Sequence, residues 1–170
     1  MTTELGEAEM KADMMQAIFD RMLIEDLFVR YYSGLGGGNH DWFGAFFVEG
    51  AELDVNGIVV HGRDEIAELY RQIRIDKPNL TGKFRMILSN ALIEVKGDHA
   101  QAQMMWTQTL NDTIKGPPRL IEQGREFDTL VKQDGVWKIT RRVVIADSNL
   151  PDMMDETFTP RADFSLPALA

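Results

Sequence analysis

The run Gly124–Val144, GREFDTLVKQDGVWKITRRVV, constrains the fold more than any other part of this chain. Asp134-Gly135 separates two stretches of strand-forming residues. A two-residue turn needs positive φ at both central positions, which Asp and Gly tolerate, so the pair marks a tight β-hairpin. In the second arm, strict alternation puts Val136, Lys138, Thr140 and Arg142 on one face and Trp137, Ile139, Arg141 and Val143 on the other. The arm ends in adjacent arginines aimed at opposite sides of a sheet. One can be solvated while the other faces a cavity, which makes a small-molecule site plausible here. If Trp137 packs under helices, alternation turns Arg141 inward; otherwise Arg142 takes that place.

The rest of the chain supplies more strands and a helical cover. Apolar residues recur at helical spacing from Ala8 to Tyr32, after a loose lead-in over residues 1–7. Glycines in the stretch Ser33–His40 break that helix. Asp41 is a good N-cap for a short helix from Trp42 to Phe47. Two strands, Ala51–Val55 and Ile58–Val60, flank Asn56-Gly57, a second hairpin signal. A third helix opens at Gly62 and carries Ile66, Leu69, Tyr70 and Ile73. Long strands follow at Lys83–Val95, Ala100–Thr113, Leu120–Lys132 and Val136–Ala146. Helices first and then a strand meander mean α+β, with the helices on one face of a curved antiparallel sheet. Residues 1–147 read as one domain, and 148–170, with Pro151, Pro160 and Pro167, as an irregular tail or lid.

Charge and composition remove several function classes. The net charge is −9 over 170 residues, which disfavours a nucleic-acid surface. There is no cysteine, so disulfides, thiolate catalysis and cysteine-based metal sites are excluded. The three histidines form no i, i+4 pair of the kind that binds zinc. No apolar run reaches membrane-spanning length, and the acidic N-terminus lacks the features of a signal peptide, so a cytoplasmic address is expected.

Four segments together carry a family resemblance: Ile24-Glu25-Asp26-Leu27, Asp41-Trp42, His61-Gly62-Arg63-Asp64-Glu65-Ile66, and Asp134-Gly135-Val136-Trp137-Lys138-Ile139 with Arg142. In order and spacing, over roughly residues 20–147, they resemble the nuclear-transport-factor-2-like superfamily. The similarity is to its SnoaL-like branch, which includes scytalone dehydratase and cofactor-free dehydrochlorinases. The resemblance implies a cone-shaped sheet whose mouth is covered by the helices and which holds a small hydrophobic or aromatic molecule. It implies no cofactor, and a homodimer or homotrimer formed through the outer sheet face. The lyases of that family place an Asp shortly before the Asp-Trp pair and a His on the first long strand. Here those places are taken by Gly36–His40 and a position near Met86, and only the last-strand arginine, Arg142, matches.

Several residues are therefore candidates for the chemistry. Arg142, or Arg141, is suited to hold a phenolate, carboxylate or alkoxide. Tyr32 or His61 can transfer a proton, and His40 could replace the missing loop carboxylate. Asn90, in phase with Met86 and Leu88, can bind a hydroxyl or serve a bulge. Tyr31, Asp41, Trp42, Met86, Leu88 and Trp106 are expected to line the substrate, while Glu122 and Glu126 share a strand face that could border the cavity. His99 lies in a turn and is expected to be solvated. The resemblance implies a cofactor-independent lyase that removes water or formaldehyde from a small hydroxylated aromatic, such as a lignin-derived diaryl diol. Alternatives are an isomerase or polyketide cyclase, which need a pocket carboxylate that the sequence does not single out, and a non-catalytic binding module. An open cavity above ~300 Å³ with converging polar groups would favour an enzyme.

Overall fold

The computed structural model describes residues 2–35, 43–75, 83–111, 113–147, 164–166 and 168–169. A long helix, α1 (Thr2–Leu35), leads through a single 3-10 turn at Phe43–Phe46 into β1 (Phe47–Val55) and β2 (Ile58–His61). Helix α2 (Gly62–Ile75) precedes β3 (Lys83–Lys96), β4 (His99–Asn111), β5 (Arg119–Gln133) and β6 (Val136–Ala146). Helix α1 starts at Thr2, so most of the expected loose lead-in is helical, and Ser33-Gly34 extends its last turn. The expected second helix is only the 3-10 turn, and β1 begins four residues earlier than Ala51. Asp41, Trp42 and His40 lie outside the described residues, as does 148–163 of the tail.

The six strands form one sheet in the order β2-β1-β6-β5-β4-β3. The meander is antiparallel throughout, but β1 runs parallel to β6, so the sheet is mixed. Both two-residue turns take the conformation their sequences demand: Asn56 and Gly57 have φ of 54° and 92°, Asp134 and Gly135 51° and 77°. The Asn56 side chain accepts from the Ala146 N–H, and its own N–H donates to the Val144 carbonyl. These bonds pin the β1–β2 turn to β6.

Bulges curl the sheet. In β3 the register shifts between Ser89 and Leu92, where Asn90 adopts a positive φ of 55°. In β6 Leu130 pairs with Ile139 but Thr129 pairs with Arg141, so Thr140 is the extra residue. Its hydroxyl lies 2.8 Å from that of Thr129 and 3.0 Å from the Thr129 carbonyl.

The concave face and the helices enclose the main core. Ile24, Phe28 and Tyr31 of α1 and Ile66 of α2 meet Phe47 and Leu53 of β1 and the inner residues of β4–β6. Asp20 fastens α1 to the hairpin. It accepts from the Trp137 indole N–H at 3.0 Å and meets the Lys132 ammonium at 2.6 Å. Burial works against its charge, but hydrogen bonds from Lys132, Gln16 and Trp137 prevail and hold its carboxyl below the usual range. On the convex face Phe127, Val143 and Ile145 are covered by Phe164 and Leu166 from the chain's own C-terminal segment.

Candidate functional site

The bulge at Thr140 decides which arginine enters the core. Without it, Trp137 and Ile139 inside would send Arg142 out. One extra residue resets the alternation, so Trp137, Ile139 and Arg142 are all buried. It also changes the partner. The Asp134-Gly135 turn alone would set Phe127 across from Arg142, whereas the shifted register sets Asp128 there.

Arg142 has no exposed surface and is the largest fully buried side chain among the described residues. Its Nε donates to Asp128 Oδ1 at 2.7 Å, and its Nη2 lies 3.0 Å from Glu126 Oε1. The guanidinium carbon sits 4.0 Å from the Tyr31 ring centroid, with Phe28, Tyr32 and Phe47 between 5.5 and 5.9 Å. An aromatic cage and two carboxyl groups offset the cost of desolvating the cation. The Tyr32 hydroxyl donates to Glu126 Oε2, and the Tyr31 and Tyr70 hydroxyls share a hydrogen bond. The site thus joins α1, α2, β5 and β6.

Its proton state follows from burial. Desolvation raises the Glu126 carboxyl well above the usual range; Arg142 opposes this, and Asp128 adds to it. Burial thereby pushes the Glu126 carboxyl toward its neutral form, beside the Arg142–Asp128 contact. Burial disfavours the charge on Arg142, but Asp128 and Glu126 more than compensate, so the guanidinium stays charged. Burial also raises the Tyr31 and Tyr32 phenols well above normal and pushes Tyr70 up to about 12. The phenols remain proton donors. Glu126 Oε1, Asp128 Oδ2 and both Nη atoms of Arg142 are buried without a well-aligned hydrogen-bond partner among the described residues. Of these, Nη2 and Oε1 face each other as an ion pair at 3.0 Å, so the spare hydrogen-bonding capacity lies on Arg142 Nη1 and Asp128 Oδ2.

Of the residues expected from sequence, Arg142, Tyr31 and Tyr32 meet in this cluster. Trp106 is buried on β4 opposite Gly124, and a β-carbon there would stand 2.5 Å from its indole. Met86 and Leu88 are half-buried against the core. The structure does not bring the others in. Arg141 turns to the convex side, 2.7 Å from Glu52 and 5.6 Å from the Phe164 ring. Asn90 is exposed on the β3 bulge, where its amide contacts the Met105 sulfur at 3.4 Å. His61 is exposed at the end of the edge strand β2, its N–H bound by Glu65. A cleft of about 320 Å³ is lined by His99, Gln101, Thr129, Thr140 and Leu169 among others, and Arg142 is not on its wall. Among the described residues no group of three or more His, Cys, Asp or Glu side chains is placed to hold a metal ion.

Sequence reasoning missed Asp20, Asp128 and Tyr70, and gave Glu126 only a shared strand face. The available signal was three acids, Glu122, Glu126 and Asp128, at alternate inner positions of a strand otherwise bearing Leu130 inward.

The model of the SnoaL-like domain matches residues 16–143. No curated protein sequence matches the chain. Among solved structures, a Mycobacterium tuberculosis protein of unknown function aligns with a TM-score of 0.66 at 25% identity, over 79% of this chain and 76% of that one. A candidate scytalone dehydratase from Novosphingobium aromaticivorans aligns at 0.68 and 23% identity, over 87% and 97%. ActVI-ORFA from Streptomyces coelicolor aligns at 0.68 and 16%, over 77% and 97%. These likenesses agree on the fold, and the domain match over most of the chain settles its kinship: it is a member of the SnoaL-like domain family.

Proposed function

We propose that this chain is a cofactor-independent lyase acting on a small, hydrophobic, hydroxylated aromatic molecule, of the lignin-derived diaryl diol type. The observation that carries the reading is the buried Arg142–Glu126–Asp128 cluster, with spare hydrogen-bonding atoms on Arg142 and Asp128 and a Glu126 carboxyl that burial raises well above the usual range. Kinship with the SnoaL-like family and the fold shared with the candidate scytalone dehydratase support it.

The chemistry needs no electron carrier. A 4-hydroxyaryl group gives its proton to water on binding, and the phenolate electrons expel a benzylic hydroxyl, which leaves as water after taking a proton from Glu126. The product is a quinone methide. The Glu126 carboxylate then removes the proton of a neighbouring hydroxymethyl group. Its carbon–carbon bond breaks, formaldehyde departs, and the electrons form the alkene and return to the ring oxygen as a phenolate, which regains a proton from water on release. Glu126 ends protonated, as it began. Arg142 stabilises the phenolate, and Tyr32 holds the Glu126 carboxyl in place. Asn90 and His61, both exposed, are replaced in this scheme by Glu126 and Tyr32.

The buried carboxyl also favours a second reading, an isomerase or cyclase using Glu126 as base. One experiment separates them. Purified protein without added cofactor is incubated with phenolic diols, their 4-O-methyl ethers, and unsaturated cyclic ketones in deuterated water. The lyase reading expects new conjugated absorbance and free formaldehyde from the phenols and none from the ethers. Turnover of the ethers at the same rate contradicts the quinone-methide step. Deuterium entry into the ketones alone supports the second reading, and no reaction anywhere leaves a binding module.

A further inference from the structure

We infer that a second copy of this chain packs antiparallel along the solvent side of α1. The helix is apolar on two opposite sides. Ile24, Leu27, Phe28 and Tyr31 face the sheet. Turning 100° per residue, Met15, Ile18, Met22 and Val29 align on the far side, where they are 71%, 56%, 61% and 57% exposed. Phe19, 55% exposed, flanks them. A surface helix ordinarily turns charged residues to that side. A contiguous row of large apolar side chains there marks an interaction surface rather than scattered exposure.

The order of residues along the row says what covers it. Ala8, Lys11, Met15, Ile18, Met22, Glu25 and Val29 follow one another at alternating spacings of three and four, the pattern of a helix–helix seam about 32 Å long. Its two charges lie seven residues either side of Ile18. A two-fold axis at Ile18 therefore sets Lys11 beside Glu25 of the second copy at both ends, with Met15 near Met22. A parallel pair would set Lys11 on Lys11 and Glu25 on Glu25. The seam is self-complementary only in the antiparallel sense, as a closed two-fold interface requires. Glu25 already meets Arg21 at 3.3 Å, but that pair is half exposed and weak enough to share. On the convex face of the sheet, Phe164 and Leu166 already cover Phe127, Val143 and Ile145, whereas α1 carries seven of the fifteen exposed large apolar side chains among the described residues.

The absence of cysteine allows a clean test. Sedimentation should show a dimer, and Ile18→Glu with Met22→Glu should give a folded monomer with unchanged β-sheet circular dichroism. Oxidised Ile18→Cys should form a disulfide-linked dimer. Lys11→Cys alone should not, but mixed with Glu25→Cys it should give the cross-linked heterodimer. Lys11→Glu should weaken association about tenfold or more, and adding Glu25→Lys should recover most of it. A monomer at about 100 μM, or a dimer indifferent to the double glutamate variant, would overturn the inference. So would cross-linking of Lys11→Cys to itself.

Discussion

Arg142 and Asp128 face each other across β5 and β6, joined at 2.7 Å, and neither exposes any surface to water. A pair in this setting gains little net stability, because desolvation consumes most of the attraction. Removing one partner is far more costly than having built the pair. Its effect here is to set a cation beside a carboxyl that burial raises, enclosed by the rings of Phe28, Tyr31, Tyr32 and Phe47.

Arg142→Met should therefore destabilise the protein by about 3–5 kcal/mol, since Asp128 would stay buried without its cation. Urea unfolding measures this. The double variant with Asp128→Asn should be more stable than the single one, which a simple loss of packing would not produce.

Glu126→Gln should keep the fold and lower kcat on a productive diol by about a hundredfold or more. It should also change the pH dependence of stability. The Glu126 carboxyl is raised in the folded state from 4.5, so the native state binds the extra proton between 4.5 and the raised value. Its stabilising contribution is complete below 4.5 and falls as pH rises through that raised value. Urea midpoints taken from acid to alkaline pH should show this decline in the wild type and a flatter line in Glu126→Gln.

Asp20→Ala should cost about 2–3 kcal/mol by leaving the buried Trp137 indole N–H without an acceptor and Lys132 without its counter-charge. The sign with pH is opposite to that of Glu126. The Asp20 carboxyl is lowered from 3.8, so its contribution is present above 3.8 and lost as pH falls through the lower folded value. Tryptophan fluorescence in acid follows it, and the variant should lack that step.

Thr140→Val should cost about 1 kcal/mol through the lost bonds to Thr129, with the bulge retained. Deleting Thr140 should be tolerated better than a change of alternation would be: Ile139, Arg141 and Arg142 then alternate without a bulge, so Arg142 stays inward opposite Asp128, and folded protein with less curl at this point of the sheet should be recovered.

The strands and turns were legible because period-two patterning and Asp-Gly or Asn-Gly turns are local signals. Strand β6 was read at its observed bounds, Val136–Ala146. The parallel pairing of β1 with β6 has no local signature, and the sequence pattern implied only an antiparallel sheet. The site was harder. Arg142 was recognised, but the choice between it and Arg141 turned on the Thr140 bulge, which shifts every later residue by one face. The same bulge aligns Asp128, rather than Phe127, with Arg142. Asn90 misled for a related reason: it lies in phase with Met86 and Leu88, yet it is itself a bulge residue at positive φ. The exposed row on α1 was hidden in the sequence because its residues interleave with the buried ones.

The central claim is that the buried cluster is an acid–base site open to a phenolic ligand, not a sealed structural ion pair. Carboxyl ¹³C NMR of glutamate-labelled protein, with the Glu126 signal assigned by its loss in Glu126→Gln, tests this most directly. The account predicts that Glu126 remains protonated well above the ordinary carboxylate range and that its signal moves when a phenolic diol or stilbene is added. A Glu126 carboxyl that titrates in the ordinary range, and that no phenol perturbs, would contradict it.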